Sequence, residues 1–339
     1  MTSSSDTLAI TLMEREASET PQRLIEQQAR NVNALASLVG RLRRQPPSAC
    51  MMIGRGTSDH AGVFGKYLIE IEMGIPVLPA APSVATIYGR TLNLSNTLAI
   101  AISQSGKSPD IITQVQHAKD GGAYCVAMVN DEHSPLAQIA DCVLPLCAGP
   151  EKAVAATKSY LCSLSLLLSL VAHWKQDQEL IAALQKLPRQ LMQAISSPTQ
   201  LNSERFHHVE HIITLGRGLG FAISKEMALK LKEVSSVHAE SFSSAEFLHG
   251  PVALANRPLT VIDIDIHDES YQSHRTQIEN VKSRGVQIER TYCPVTSVHS
   301  RIMPLVLMQR FYLDVARIAV AKGYNPDAPV GLKKVTETL

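Results

Sequence analysis

The sequence predicts an α/β fold of two doubly wound parallel sheets, each covered by helices on both faces in a three-layer αβα, flavodoxin-like arrangement, the two units related as an internal repeat. Three observations carry this expectation. Apolar runs of strand length alternate with helix-period segments, the pattern of parallel strands joined by covering helices. A strand, a Gly-Arg-Gly turn and a helix follow one another twice, at Met51-Met52-Ile53-Gly54-Arg55-Gly56 and again at Ile213-Thr214-Leu215-Gly216-Arg217-Gly218. At 339 residues the chain is too long for one typical core and comfortable for two.

Residues 1–45 form a polar and charged lead-in. Its apolar positions Leu24, Ile25, Val32, Leu35, Leu38 and Leu42 suit one or two amphipathic helices packed on the core or on a partner subunit. Pro46-Pro47 ends that pattern. The first α/β unit is assigned to 46–185: strand 49–53, the turn Gly54-Arg55-Gly56-Thr57-Ser58, helix 60–73, short strand 76–79, short helix 83–88, strand 97–102, helix 109–120, and strands 124–129 and 142–146. The apolar stretch 161–172 is 12 residues long. A membrane span needs about 20, so the stretch reads as a buried helix.

A polar segment at 186–204 separates the two copies. The second unit, 200–322, opens with a strand at 211–215, the glycine turn 216–220 and a helix over 221–238, and has a further apolar run at 259–264. The tail, 323–339, is rich in turn formers, with no regular element before Leu332. A tail of this kind must be held by contacts made elsewhere.

Composition narrows the function. Lys+Arg of 32 against Asp+Glu of 31 leaves a formal charge of +1, so no bulk field argues for nucleic acid or an anionic membrane. A small phosphorylated molecule needs only a local site. The cysteines at 50, 125, 142, 147, 162 and 293 form no C-x-x-C pair, and the chain starts without a basic-then-apolar leader, which points to reduced thiols and a cytoplasmic location. His207, His208 and His211 lack a companion carboxylate or cysteine motif, so no metal is expected. Gly54-x-Gly56 is followed by Asp59 where a dinucleotide fingerprint has its third glycine, so no nicotinamide cofactor is expected either.

Two constellations carry chemistry. The first is Ser103-Gln104-Ser105-Gly106-Lys107-Ser108, between a strand and a helix that begins at Pro109. Ser108 suits an N-cap and Pro109 the first helical position, so orphan amides and the positive dipole end would face the serines, an arrangement that favours phosphate. The turn at Thr57 and Ser58 lies at the carboxyl end of another strand, where open α/β sheets bind ligands. The second constellation is Glu226, Lys230 and Glu233, at i, i+4 and i+7 on one helical face. Such a stripe is either a solvated row of ion pairs or, with His238, Glu240, Glu246 and His249 nearby, a place where burial tunes a group for proton transfer.

Together these motifs resemble the sugar isomerase (SIS) domain family, and within it the two-domain isomerase half of glutamine–fructose-6-phosphate amidotransferases. The resemblance covers residue 50 onward. It is carried by Gly56-Thr57-Ser58, Ser103-Gln104-Ser105-Gly106-x-Ser108, Val154-Ala155-Ala156-Thr157-Lys158, Glu226-x-Ala228-Leu229-Lys230-Leu231-Lys232-Glu233, His238-Ala239-Glu240 and Glu246-x-x-His249-Gly250-Pro251. The resemblance implies that Gly56, Thr57, Ser58, Ser103, Gln104, Ser105 and Ser108 hold a sugar phosphate, with Val154 near the sugar. It also implies that Glu233 moves a proton between C1 and C2 with Glu226 and Lys230 beside it. His249 would assist ring opening from the other subunit of a homodimer, and Lys334, in Asp327-x-Pro329-x-x-Leu332-x-Lys334, would contact the open-chain sugar.

Arg55 and Lys333 replace small residues of the amidotransferase pattern, and about 45 residues precede the first strand, without that enzyme's N-terminal cysteine nucleophile. The same isomerase chemistry run in the other direction is a hydrolytic deamination, and the tail resembles that of SIS-type glucosamine-6-phosphate deaminases. The expected activity is therefore conversion of glucosamine 6-phosphate to fructose 6-phosphate and ammonia, with no cofactor. Alternatives are the same chemistry on galactosamine 6-phosphate or a fructosamine 6-phosphate adduct, or a non-catalytic sugar-phosphate sensor.

Overall fold

The computed structural model describes residues 10–334. The start of the lead-in and the tail residues Val335 and Thr336 lie outside the described residues. In chain order the elements are α1 (Leu12–Ser18), α2 (Thr20–Arg44), β1 (Ala49–Ile53), α3 (Thr57–Met73), β2 (Val77–Pro79), α4 (Pro82–Thr86), β3 (Thr97–Ser103), α5 (Pro109–Asp120), β4 (Tyr124–Val129), α6 (Pro135–Ile139), β5 (Cys142–Pro145) and α7 (Lys158–Lys175). They continue with α8 (Gln178–Ile195), α9 (Ser203–Phe206), β6 (His211–Gly216), α10 (Leu219–Ser235), β7 (His238–Ser243), α11 (Ser244–Phe247), a 3-10 turn (Pro251–Asn256), β8 (Thr260–Asp265), α12 (Tyr271–Lys282), β9 (Gln287–Tyr292) and α13 (Met303–Ala321).

The strands build two all-parallel sheets, ordered β2-β1-β3-β4-β5 and β7-β6-β8-β9. Alternate residues serve opposite faces. Cys50, Met52, Leu98, Ile100, Ile102, Val126 and Met128 join one core, while Met51, Ile53, Ala99, Ala101, Cys125 and Ala127 join another under α5. The first of these cores also takes in Ile212, Ile262 and Ile264 of the second sheet. A shared helical layer, in which α3 packs on α7 and α10 and α10 packs on α13, therefore lies between the sheets. Every residue of 161–172 is buried in α7; full burial of one leucine contributes about 2 kcal/mol, so this helix is a principal tie between the layers.

The repeat extends to backbone angles. Gly56 before α3 has φ 53° and ψ −125°, and Gly218 before α10 has φ 53° and ψ −126°. A side chain at either glycine would be strained at this φ. What lies around them differs. A Cβ on Gly56 would meet nothing within 4 Å, whereas one on Gly218 would stand 3.4 Å from Ser270 Oγ and 3.6 Å from Asp268 Oδ2.

Several expectations are corrected. The α3 helix starts at Thr57 rather than residue 60, so Thr57 and Ser58 belong to its first turn. The α10 helix stops at Ser235, because Ser236 turns left-handed at φ 52°, and His238 opens a strand instead of ending a helix. In α2 the buried stripe is Leu24, Gln27, Asn31, Leu35, Leu38 and Leu42, while Ile25 and Val32 fall off it and are exposed. The segment at 186–204 is helical as far as Ile195 within α8. No helix among the described residues is long and apolar enough to cross a membrane.

Candidate functional site

A cavity of about 270 Å³ opens at the carboxyl ends of β1 and β3, where the order of the first sheet reverses and such folds bind ligands. It is lined by Gly56, Thr57 and Ser58 from the first turn, by Ser103, Gln104, Ser105 and Ser108 from the second, by Val154 from the segment after β5, by Lys230 and Glu233 from α10, and by Lys334 from the tail. Arg55, Ile102, Ile111, Ala156, Leu332 and Lys333 complete the wall. Of the predicted site residues, only Glu226 and His249 do not line it.

The two turns are set by local hydrogen bonds. Ser103 Oγ accepts the Gly106 N–H at 3.0 Å and Ser105 Oγ accepts the Lys107 N–H at 3.3 Å. Gly106 sits at φ 63°, and a Cβ there would lie 2.1 Å from Ser134 Oγ. Only glycine fits between the turn and α6, which Ser134 caps. Ser108 is the N-cap of α5 with Pro109 at the first helical position, but its hydroxyl makes no capping bond; the side chain faces the cavity. Helices α3 and α5 thus both present N-terminal ends to one small polar cavity, whose preferred occupant is an anion. In the second copy the matching crevice holds the Asp268 carboxylate, which accepts from Ser270 N and Oγ at 2.8 and 2.6 Å. A carboxylate there repels an anionic ligand, so the repeat carries one cradle and not two.

The Glu226–Lys230–Glu233 stripe is not solvated. Glu226 and Lys230 are fully buried and only Glu233 is partly open. Lys230 Nζ donates to Glu233 Oε2 and stands 3.4 Å from Glu226 Oε1. Burial alone would push the Lys230 ammonium down, but Glu226 and then Glu233 outweigh it and hold its pKa above the usual lysine range. Glu226 sits behind the wall. Its Oε1 accepts from Thr57 Oγ1 at 3.2 Å and from Tyr312 Oη at 3.4 Å, and its Oε2 is 2.9 Å from His60 Nδ1. Thr57 therefore joins the turn after β1 to the charged helix.

His60 and Glu151 were not singled out by sequence. Burial opposes the ionisation of Glu151, yet the Lys334 ammonium, the Thr157 and Ser159 N–H groups and the Ser159 hydroxyl outweigh it and hold its pKa below the usual range. Lys334 Nζ donates to Glu151 Oε2 at 3.0 Å and to the Ala153 carbonyl at 2.8 Å. A lone carboxylate three residues before Val154, in a stretch of small residues, was the available signal for Glu151. For His60 it was a position one turn after Thr57.

His238, Glu240, Glu246 and His249 are exposed and away from the cavity, so the crowd of titratable groups suggested by proximity in sequence is not assembled within one chain. His207 and His211 are exposed and pair edge-on with His208 and His238 respectively. Among the described residues no group of three or more His, Cys, Asp or Glu side chains is placed to hold a metal. The six cysteines are free thiols. Burial pushes those of Cys50 and Cys125 up to about 12, the wrong direction for nucleophiles.

The chain as a whole is similar to known proteins. The family model for the SIS domain matches residues 48–173 and 205–315. The isomerizing glutamine–fructose-6-phosphate aminotransferase of Rhizobium meliloti (strain 1021) is 32% identical over 95% of this chain and 58% of its own length. That of Thermus thermophilus is 31% identical over 84% of this chain and 51% of its own. The chain spans about half the length of these curated relatives. A solved structure from Silicibacter pomeroyi DSS-3, described as a candidate phosphosugar isomerase, superposes with TM-score 0.86 at 36% identity over 94% of this chain and 100% of that one. The C-terminal domain of the Francisella tularensis glucosamine-fructose-6-phosphate aminotransferase gives 0.84 at 25% identity over 96% and 100%.

Proposed function

The chain belongs to the SIS domain family, and from that premise we propose that it deaminates and isomerises glucosamine 6-phosphate to fructose 6-phosphate and ammonia. The observation that carries the reading is a single cavity in which a hydroxyl-lined anion cradle on β1 and β3 faces the Glu233 carboxylate and its buried partner Lys230. The phosphate, bound by Thr57, Ser58, Ser103, Gln104, Ser105 and Ser108, supplies remote binding energy that orients C1 and C2 over Glu233.

In this reading Glu233 takes the C2 proton of the open-chain amino sugar and returns it to C1, while O1 gains the proton that the C2 amine gives up, leaving a C1 hydroxyl and an imine at C2. Lys230, held charged between two carboxylates, lies beside the negative charge that develops on O1. Water adds to the imine carbon, and ammonia leaves to give the ketose. Lys334 faces the sugar from the tail, and His249, exposed in one chain, acts on ring opening from the second subunit of a homodimer.

The test is ammonia and fructose 6-phosphate formation from glucosamine 6-phosphate without added metal. Ammonia released from galactosamine 6-phosphate or a fructosamine 6-phosphate adduct, and none from glucosamine 6-phosphate, would move the substrate assignment. Tight binding of all of them with no product would favour a sensor.

A further inference from the structure

The cavity wall contributed by Val154 and Lys334 comes from two irregular segments, residues 146–157 and 322–334, neither of which has a strand ladder to hold it. Their backbone groups must find partners elsewhere. Beside Val154, two of them are taken up by α1. Both carboxylate oxygens of Glu16, a residue only 3% exposed, accept backbone N–H groups of the first segment, from Lys152 at 2.6 Å and Ala153 at 3.1 Å. The next amide, Val154 N–H, donates to the Asp327 carbonyl at 3.0 Å. The Asp327 carboxylate in turn accepts the Leu12 and Met13 N–H groups at 2.9 and 2.8 Å, closing the start of α1. Three successive amides of the sugar-facing segment thus point at Glu16, Glu16 and Asp327, and the Ala153 carbonyl between them accepts from Lys334.

Helix α1 is itself anchored on the second unit. Arg317 Nε donates to Glu14 Oε1 at 3.0 Å and Gln309 Nε2 to the Ala17 carbonyl at 3.0 Å, both from α13. We infer that α1 is a clasp that sets the sugar-facing wall, with Glu16 and Asp327 as positioning residues that hold Val154 and Lys334 in register with each other. Neither residue touches the cavity. Their effect passes through the segment and the tail, so loss of either displaces both walls together. The inference rests on the function proposed above for the role of Val154 and Lys334, while the clasp itself rests on the contacts alone.

The test uses the full chain with Glu16→Gln and Asp327→Asn, alone and combined. Each change removes a charged acceptor from two amides, a loss that corresponds to about tenfold in local opening. Tryptic release of the tail after Lys333 or Lys334, followed by mass spectrometry without ligand, is expected to run about tenfold faster in each variant at unchanged melting temperature. KM for glucosamine 6-phosphate is expected to rise about tenfold with kcat within about threefold. The double variant is expected to fall short of the product of the two effects, because both break the same clasp. Wild-type tail cleavage in both single variants would overturn the inference. If Asp327→Asn does not fold, Glu16→Gln decides alone. If glucosamine 6-phosphate is not turned over, the proposed function fails while the ligand-free cleavage rates still decide the clasp.

Discussion

Lys230 and Glu233, one turn apart on α10, are joined by a charge-assisted hydrogen bond in which the lysine is wholly buried and the carboxylate opens to the cavity. The lysine has a second carboxylate, Glu226, on its other side. A cation so placed orients the Glu233 carboxylate without blocking it, an arrangement suited to a base.

Replacing Glu233 by Gln keeps the shape and removes the proposed base. Turnover is expected to fall at least about a thousandfold, with the sugar-phosphate dissociation constant within about threefold of wild type by calorimetry. Retained turnover would remove Glu233 from the mechanism.

The cradle can be tested one hydroxyl at a time. Ser108 spends no hydrogen bond on capping α5, so Ser108→Ala should leave the melting temperature unchanged. A lost bond to a charged phosphate weakens binding about tenfold or more. Equal binding by the variant would exclude this serine from the phosphate site.

Gly106 is a stability site within the cradle. At φ 63° and with Ser134 in the way, Gly106→Ala adds both backbone strain and a clash that the α6 cap must relieve. A loss of about 2 kcal/mol or more in denaturant unfolding is expected, together with weaker phosphate binding.

Glu151 gives a pH dependence of known sign. Its folded-state pKa is lowered, so its contacts contribute stability that is fully present above the ordinary glutamate value of about 4.3 and is lost as pH falls through the lower folded value. The melting-temperature gap between wild type and Glu151→Gln should therefore be full near neutrality and shrink on acidification. A gap that stays constant with pH would show that the carboxylate's charge is not what holds Lys334.

Mixing two inactive variants, Glu233→Gln and His249→Ala, after subunit exchange tests a site shared between chains. A dimer with one of each subunit would regain one intact site, giving about a quarter of wild-type activity in an equal mixture. No recovery would place His249 outside its neighbour's site.

Strands β1, β3, β4, β6 and β8 are legible because they lie inside their sheets, where buried parallel strands read as continuous apolar runs. The edge strands β2 and β5 of the first sheet are legible as well, from the short apolar runs at 76–79 and 142–146. The two strands that escape notice, β7 with His238-Ala239-Glu240-Ser241-Phe242-Ser243 and β9 with Gln287-Ile288-Glu289-Arg290-Thr291-Tyr292, are the edges of the second sheet. Both interleave polar residues with apolar ones, so neither reads as an apolar run. The end of α10 escapes for another reason. The residue that turns left-handed there is Ser236 and not the glycine that normally marks a stop.

By itself, the sequence determined the repeated α/β plan, the two turns that make the cradle and the helical face carrying Glu226, Lys230 and Glu233. All of these depend on neighbours within a few residues, through periodicity, caps and turn conformations. The lack of a Ser-x-Ser-Gly turn after 259–264 already left the cradle to the first copy. The tertiary structure decided that Asp268 occupies the second crevice and that Glu226 and Lys230 of α10 are buried. It also brought Glu16 to the Lys152 and Ala153 amides, Glu151 to Lys334 and Asp327 to the start of α1. These outcomes depend on groups far apart in the chain meeting in space, and no local pattern encodes such a meeting.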